Sequence, residues 1–184
     1  MPLSPAAPRK HLHTRTVECF GYQRDDGLWD IEGHIVDTKT YAFANTHRGT
    51  LEPGDHLHDM WVRITINERM EIVDAEAVTE AGPFSICGNI AVDYKKLIGL
   101  RIAPGFTAAV KERLGGVQGC THLTELLGPV ATVAFQTMVR NGPPTDPNAP
   151  RKPRPLNTCH AFDSNGVVVK QFWPDAYTGP DRGG

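Results

Sequence analysis

Apolar residues recur at every second position through the first part of the chain, then shift to every third or fourth. In "TRTVECFGYQRDDGLWDIEGHIVDTK" Val17 and Cys19 alternate with Glu18 and Phe20. Trp29, Ile31 and Ile35 alternate in the same way with Asp30, Glu32 and His34. A period of two predicts two strands, and Asp26-Gly27 between them predicts a hairpin turn. Residues 40 to 57 show no period and read as a loop. A second hairpin is expected in "HDMWVRITINERMEIVDAEAV", turning near Asn67-Glu68. Val62, Ile64 and Ile66 share one face of its first strand, and Met60, His58 and His56 keep the same parity.

The period then lengthens. "NIAVDYKKLIG" puts Ile90, Tyr94, Leu97 and Ile98 on one helical face, with Gly99 as the stop. "APGFTAAVKERLGG" has Pro104 near its start and Gly115 past its end, which suits a short helix with Phe106, Ala109, Val110 and Leu114 inward. A third helix is expected from an N-cap at Thr121 to Met138, with Pro129 kinking or restarting it. "GVVVKQFW" near the end reads as a last strand. Strands grouped before helices predict an α+β fold, with helices on one face of an antiparallel sheet. The expected organisation is a disordered arm over 1–13 and a single domain over 14–141. A Pro-rich linker over 142–156 follows, then a C-terminal strand and tail over 157–184 packing back on the domain.

The chain has 184 residues, enough for one domain with a real core. A net charge of −2, with "RKPR" at 151–154 as the one basic cluster, argues against a nucleic-acid surface. No stretch is long and apolar enough to span a membrane, and the N-terminus lacks the apolar segment of a secretory signal, so a cytoplasmic location is expected. The four cysteines lie far apart. In that compartment they are expected to be reduced, leaving burial or metal binding as their use. The expected partner is a small molecule, with no nucleic acid and no membrane. A homodimer is the one macromolecular assembly left open.

Cys87 falls just before the first predicted helix, and Cys120 and His122 fall at the start of the third. With His58 on a strand face that the helices cover, one sheet–helix junction gathers four zinc-type ligands: His58, Cys87, Cys120 and His122. The spacing is not a paired CxxC signature, and a single cysteine of this kind is more often a buried thiol. Cys120 at a helix start is alternatively a nucleophile. Asp59 is a further candidate ligand or proton carrier. Glu125, one turn from Cys120, is a candidate general base or a partner of the ligands, against the plainer role of complementing the helix dipole. Around the first hairpin, Tyr22, Arg24, Trp29 and Asp37 form a candidate substrate wall, with Trp61, Arg63 and Trp173 as further members. The ordinary alternative is a solvated hairpin with cross-strand pairs.

"HDMWVRITI", "EIVDAEAV", the lone Cys87, "YKKLIGLRIAPGF" and "GCTHLTELLGPVATVAFQT" together resemble a bacterial family known as domain of unknown function 2889. "YQRDDGLWDIEGHIVDTK" extends the likeness over nearly the whole chain before the Pro-rich linker. A more distant likeness, over about half the chain, is to the U-type iron–sulfur assembly scaffolds. By position, that resemblance implies that Cys87 and Cys120 match the family's middle and late cysteines. His58 then replaces the first cysteine, and Asp59 stands for its aspartate. Gly119 replaces the histidine before the late cysteine, with His122 the nearest substitute, and the mixed donor set favours zinc over cluster transfer. The expectation drawn is a small zinc-dependent enzyme acting on a small aromatic or phenolic molecule. The expected reaction is a carbon–carbon lyase step of retro-aldol or deformylating type, as in aromatic compound catabolism. A metal or iron–sulfur carrier and a metal-dependent hydrolase are the alternatives.

Overall fold

The structure is a computed structural model that describes residues 4–138 and 156–180. Strands β1 (His13–Gln23) and β2 (Trp29–Lys39) form the first hairpin, and Gly27 supplies the positive φ of 86° that its turn requires. Residues 40–57, expected as a loop, instead contain a small ribbon of β3 (Phe43–Asn45) and β4 (Gly49–Leu51). Three-residue strands are too short to show a period of two, which is why the pattern missed them. Strands β5 (His56–Ile66) and β6 (Ile72–Ala81) form the second hairpin across residues 67–71. The main sheet is antiparallel throughout, in the order β1-β2-β5-β6.

Among the described residues of the first unit, helices cover one face of this sheet. On β2 the inward parity runs through Ile31, Gly33, Ile35 and Asp37. On β5 it runs through His58, Met60, Val62, Ile64 and Ile66. Helices α1 (Phe106–Leu114) and α2 (Thr121–Met138) supply the other half of the core through Phe106, Val110, Leu114, Leu123, Leu126, Leu127, Val130 and Ala134. The segment expected as the first helix is an extended 3-10 run, Cys87–Leu97. Its three-residue turn stacks Tyr94 over Leu97 on the buried side and leaves Ile98 at the surface, and Gly99 ends it at φ 84°. Pro129 neither stops nor restarts α2. Gly128 precedes it, and without a Cβ the usual clash with the proline ring is relieved.

α2 lies close to the sheet because β2 has a glycine under it. A Cβ on Gly33 would sit 2.6 Å from Val130 Cγ2, and the neighbouring space is filled by Val62 and Leu126. Gly33→Ala should therefore overpack the helix–sheet interface and destabilise the protein by about 1–3 kcal/mol. Urea unfolding checks this: an unchanged midpoint would mean that the helix rides further out.

The chain divides into two compact units, residues 1–140 and 141–184. In the second, the expected last strand is instead a short helix, α3 (Val167–Phe172), entered from an extended Gly166 and burying Val169. Three consecutive valines favour strand only where a neighbouring strand can pair with them. The Pro-rich linker lies outside the described residues except for Leu156. At the other end, the last residues of the segment expected as a disordered arm bond to the turn after β2. Thr40 Oγ1 donates to the His11 carbonyl at 2.7 Å, and His13 already belongs to β1. Among the described residues, no helix is long and apolar enough to cross a membrane.

Candidate metal centre

Asp37 and His58 are cross-strand partners at the ends of β2 and β5, both pointing to the helix-covered face. The first turn of α2 brings His122 over them. Ligand atoms of Asp37, His58 and His122 all lie within 4.8 Å of one another, a grouping that could hold a metal ion. The His58 and His122 rings stack at 3.8 Å between centroids and 32° between planes.

The carboxylate at the centre is 1% exposed and accepts four hydrogen bonds. Oδ1 accepts from His13 Nε2 and from Arg15 Nε, both at 2.9 Å. Oδ2 accepts from Arg15 Nη2 at 2.8 Å and from His58 Nδ1 at 2.9 Å. Burial alone would push the Asp37 carboxyl up, but Arg15, His13 and His58 together outweigh it and hold the group at about 2. Arg15 is raised in turn, chiefly by its bond to Asp37. Burial lowers His58, with further lowering from His122. Burial likewise lowers His122, with Arg15 next in effect. Both imidazoles are thus neutral at neutral pH, the form that ligates a metal.

This network also assigns roles within the group. A carboxylate offers about four acceptor positions, and those of Asp37 are filled. Because His58 Nδ1 donates to it, His58 carries its proton there and leaves Nε2 with a free lone pair. His122 Nε2 stands 4.0 Å from Asp37 Oδ2, too far for a direct hydrogen bond. Asp37 therefore orients His58 in the manner of a carboxylate behind a metal-binding histidine. Direct ligation by Asp37 would need a donor to leave, and the exposed His13 is the easiest to displace.

Cys120 borders this group without belonging to it. Its Sγ is 4.0 Å from His122 Nδ1 and 3.9 Å from Met60 Sδ. Its backbone is pinned by the buried Tyr94, whose hydroxyl accepts from the Cys120 N–H at 3.2 Å, donates to the Cys120 carbonyl at 2.9 Å and meets Thr124 Oγ1 at 2.8 Å. Tyr94→Phe should leave buried polar groups at the start of α2 unpaired, costing about 1–3 kcal/mol and loosening His122. A drop in thermal midpoint with faster amide exchange at residues 120–124 is the expected readout.

Several predicted site residues stand elsewhere. Asp59 has the opposite parity to His58, so it faces the side of the sheet away from α1 and α2. There it accepts from His34 Nε2 and His56 Nδ1, both at 2.8 Å. Trp61 shares that side and stacks on His34 at 3.8 Å. Cys87 is outside the three-residue group, its side chain packed against Gly82. Tyr22 and Arg24 sit at the first turn, where Arg24 pairs with Asp26 and Asp30, and Trp29 packs against the core. That turn is eight residues along β2 from Asp37, roughly 26 Å at strand rise, so it does not border the centre. Asp37, expected in the wall, is the buried carboxylate of the centre instead. Trp173 belongs to the second unit and packs on Phe162 and Phe172. Glu125 is held by Arg15, its Oε2 2.7 Å from Nη1.

Two contributors went unread in the sequence, His13 and Arg15. Their signal was available: they share parity with Val17 and Cys19, which places a histidine and an arginine on the inward face of β1.

An apolar groove of about 570 Å³ runs between α1 and α2, walled by Phe106, Val110, Leu114 and Leu127, with Thr121 and Glu125 on its α2 side. It is adjacent to the first turn of α2.

An antiparallel sheet half-covered by helices, with two neutral histidines and a buried carboxylate at the junction, defines an α+β protein with a candidate metal centre. The model of the family described as "Protein of unknown function (DUF2889)" matches residues 13–136, and the chain belongs to that family. The match spans every member of the centre. No curated protein and no solved structure matches the chain.

Proposed function

We propose that this protein is a small zinc-dependent enzyme of the reducing cytoplasm, acting on a small molecule with an apolar, aromatic-type body. The grouping of Asp37, His58 and His122 within 4.8 Å carries this reading. Two imidazoles, one of them oriented by the carboxylate behind it, suit a zinc-type divalent ion and leave positions open for substrate, as catalytic sites do. Iron–sulfur clusters are held chiefly by thiolates, and Cys87 and Cys120 do not join this group, which favours the enzyme over a cluster carrier. The four cysteines are free thiols, in keeping with a reducing compartment.

Within that class we assign a carbon–carbon lyase of retro-aldol type. The metal would supply Lewis acidity toward a substrate oxygen. Glu125 at the groove takes the proton of the substrate hydroxyl, whose O–H electrons form the new carbonyl. The electron pair of the breaking C–C bond passes to the departing carbon, which is then protonated.

Elemental analysis of untagged protein tests the reading. About one zinc per chain in a colourless preparation is the expected result. Iron with inorganic sulfide would support the carrier instead, and no metal above background would end both.

A further inference from the structure

The two edges of the main sheet are built differently. β6 pairs with β5 through register shifts near both ends and carries Asp74, Glu76 and Glu80 at alternate exposed positions. It also packs against the 3-10 run Cys87–Leu97. Irregular pairing, like charges and a covering segment are the protections that keep an edge strand from pairing with another chain. β1 has none of them. It keeps one register with β2 over all 11 residues, holds no proline or lysine, and is exposed along almost its whole length. Leu12, Val17, Phe20 and Tyr22 are exposed apolar side chains along it.

The backbone groups of this edge can be placed. Arg24 N–H donates to the Leu28 carbonyl at 2.9 Å, and Thr40 N–H donates to the Leu12 carbonyl at 3.4 Å. Bonded pairs alternate along an antiparallel ladder, so the even-numbered residues of β1 bond to β2. The odd-numbered ones, Arg15, Val17, Cys19 and Gly21 among them, turn their N–H and C=O groups to the edge that has no neighbour.

We infer that β1 pairs antiparallel with β1 of a second copy of this chain, about a two-fold axis at Val17, so that two four-stranded sheets become one continuous sheet. Charge and shape choose the axis. At Glu18 it would set two carboxylates directly opposite each other. At Cys19 it would set Val17 against Gly21, which has no side chain to cover it. At Val17 the two valines cover each other, Leu12 faces Tyr22 of the second copy, and Phe20 faces Thr14. The exposed His11 ring, which bonds to the His13 carbonyl at 2.9 Å, gives way to the Gly21 N–H of the second copy. Helix α2 packs over both β1 and β2. The two α2 helices then lie about three strand spacings apart, roughly 14 Å, against 8–10 Å for helices in contact, so neither blocks the pairing. The pairing orders the strand that brings His13 and Arg15 to Asp37, and it requires no metal.

Sedimentation equilibrium of the full chain, as purified and after chelation, tests the inference. A dimer in the micromolar range is expected in both preparations. Val17→Lys sets two ammonium groups opposite each other at the axis and should weaken the dimer about tenfold or more. Val17 is 42% exposed in the single chain, so the variant should keep its fold, which circular dichroism checks. Val78→Lys, at a similarly exposed valine of β6, should leave the dimer unchanged. In a Cys159→Ser background, Val17→Cys should form a disulfide across the axis on mild oxidation, since the α-carbons of a bonded pair stand about 5.5 Å apart, within disulfide reach. A wild type that is monomeric throughout the micromolar range would overturn the inference, as would a dimer that withstands Val17→Lys or is lost in Val78→Lys. Cross-linking through Cys19 alone would overturn the axis at Val17. A dimer that dissociates on chelation would overturn the strand pairing by placing the contact at a metal. A dimer in protein found to hold no metal would leave the interface standing while the zinc reading falls.

Discussion

His122→Ala should strip the metal and remove activity together, with metal affinity reduced about 100-fold or more. Loss of a residue that merely supports a ligand already costs 10–100-fold, and a ligand costs more. His122 is partly exposed and outside the core, so the variant should fold, which circular dichroism checks before metal is counted. His58→Ala should behave alike. Cys87→Ser and Cys120→Ser give the contrasting result. Neither thiol belongs to the group of Asp37, His58 and His122, so both variants should keep their metal. If metal follows the cysteines and ignores His122, the centre is the thiol-based one that the sequence suggests, and the histidine-carboxylate assignment fails.

The sheet and the two main helices were legible because burial on one face imposes a period, and a period survives in the sequence. The ribbon of β3 and β4 was not, since three residues per strand carry no period. Helix α3 was misread because three valines signal strand only when a partner strand is present, which local sequence does not reveal. The centre was half legible for the same reason as the sheet. Parity put His58 on the covered face, and the helix start put His122 beside it. The same parity rule, applied one residue on, excludes Asp59; applied along β2 from Ile31 and Ile35, it reaches Asp37, and along β1 it reaches His13 and Arg15. What no periodicity contains is register. That Asp37 stands across from His58 follows from how β2 and β5 pair, and only the fold fixes that.

Asp37→Ala should be the most destabilising change at the centre, by about 3–5 kcal/mol, because it leaves Arg15 and two histidines facing a buried gap with no acceptor. A fall in thermal midpoint on the order of 10 °C is expected, measured with chelator present so that metal binding does not add to the native state. Arg15→Ala should cost a similar amount by stranding the Asp37 charge, and the double variant should cost clearly less than the two singles added, since each removes the other's partner. Asp59→Ala is the control on the open face, where its two histidine partners are within reach of water and the loss should stay below about 1 kcal/mol. The pH dependence has a definite sign. Asp37 sits at about 2 in the fold against about 3.9 in the unfolded chain, so its stabilisation is complete above roughly pH 4 and is lost as pH falls toward 2. In Asp37→Ala that acid-side loss should shrink. Singles that simply add in the double variant, or an acid limb that Asp37→Ala leaves unchanged, would show that the carboxylate does not hold β1, β2 and β5 together, and that Arg15 is anchored elsewhere.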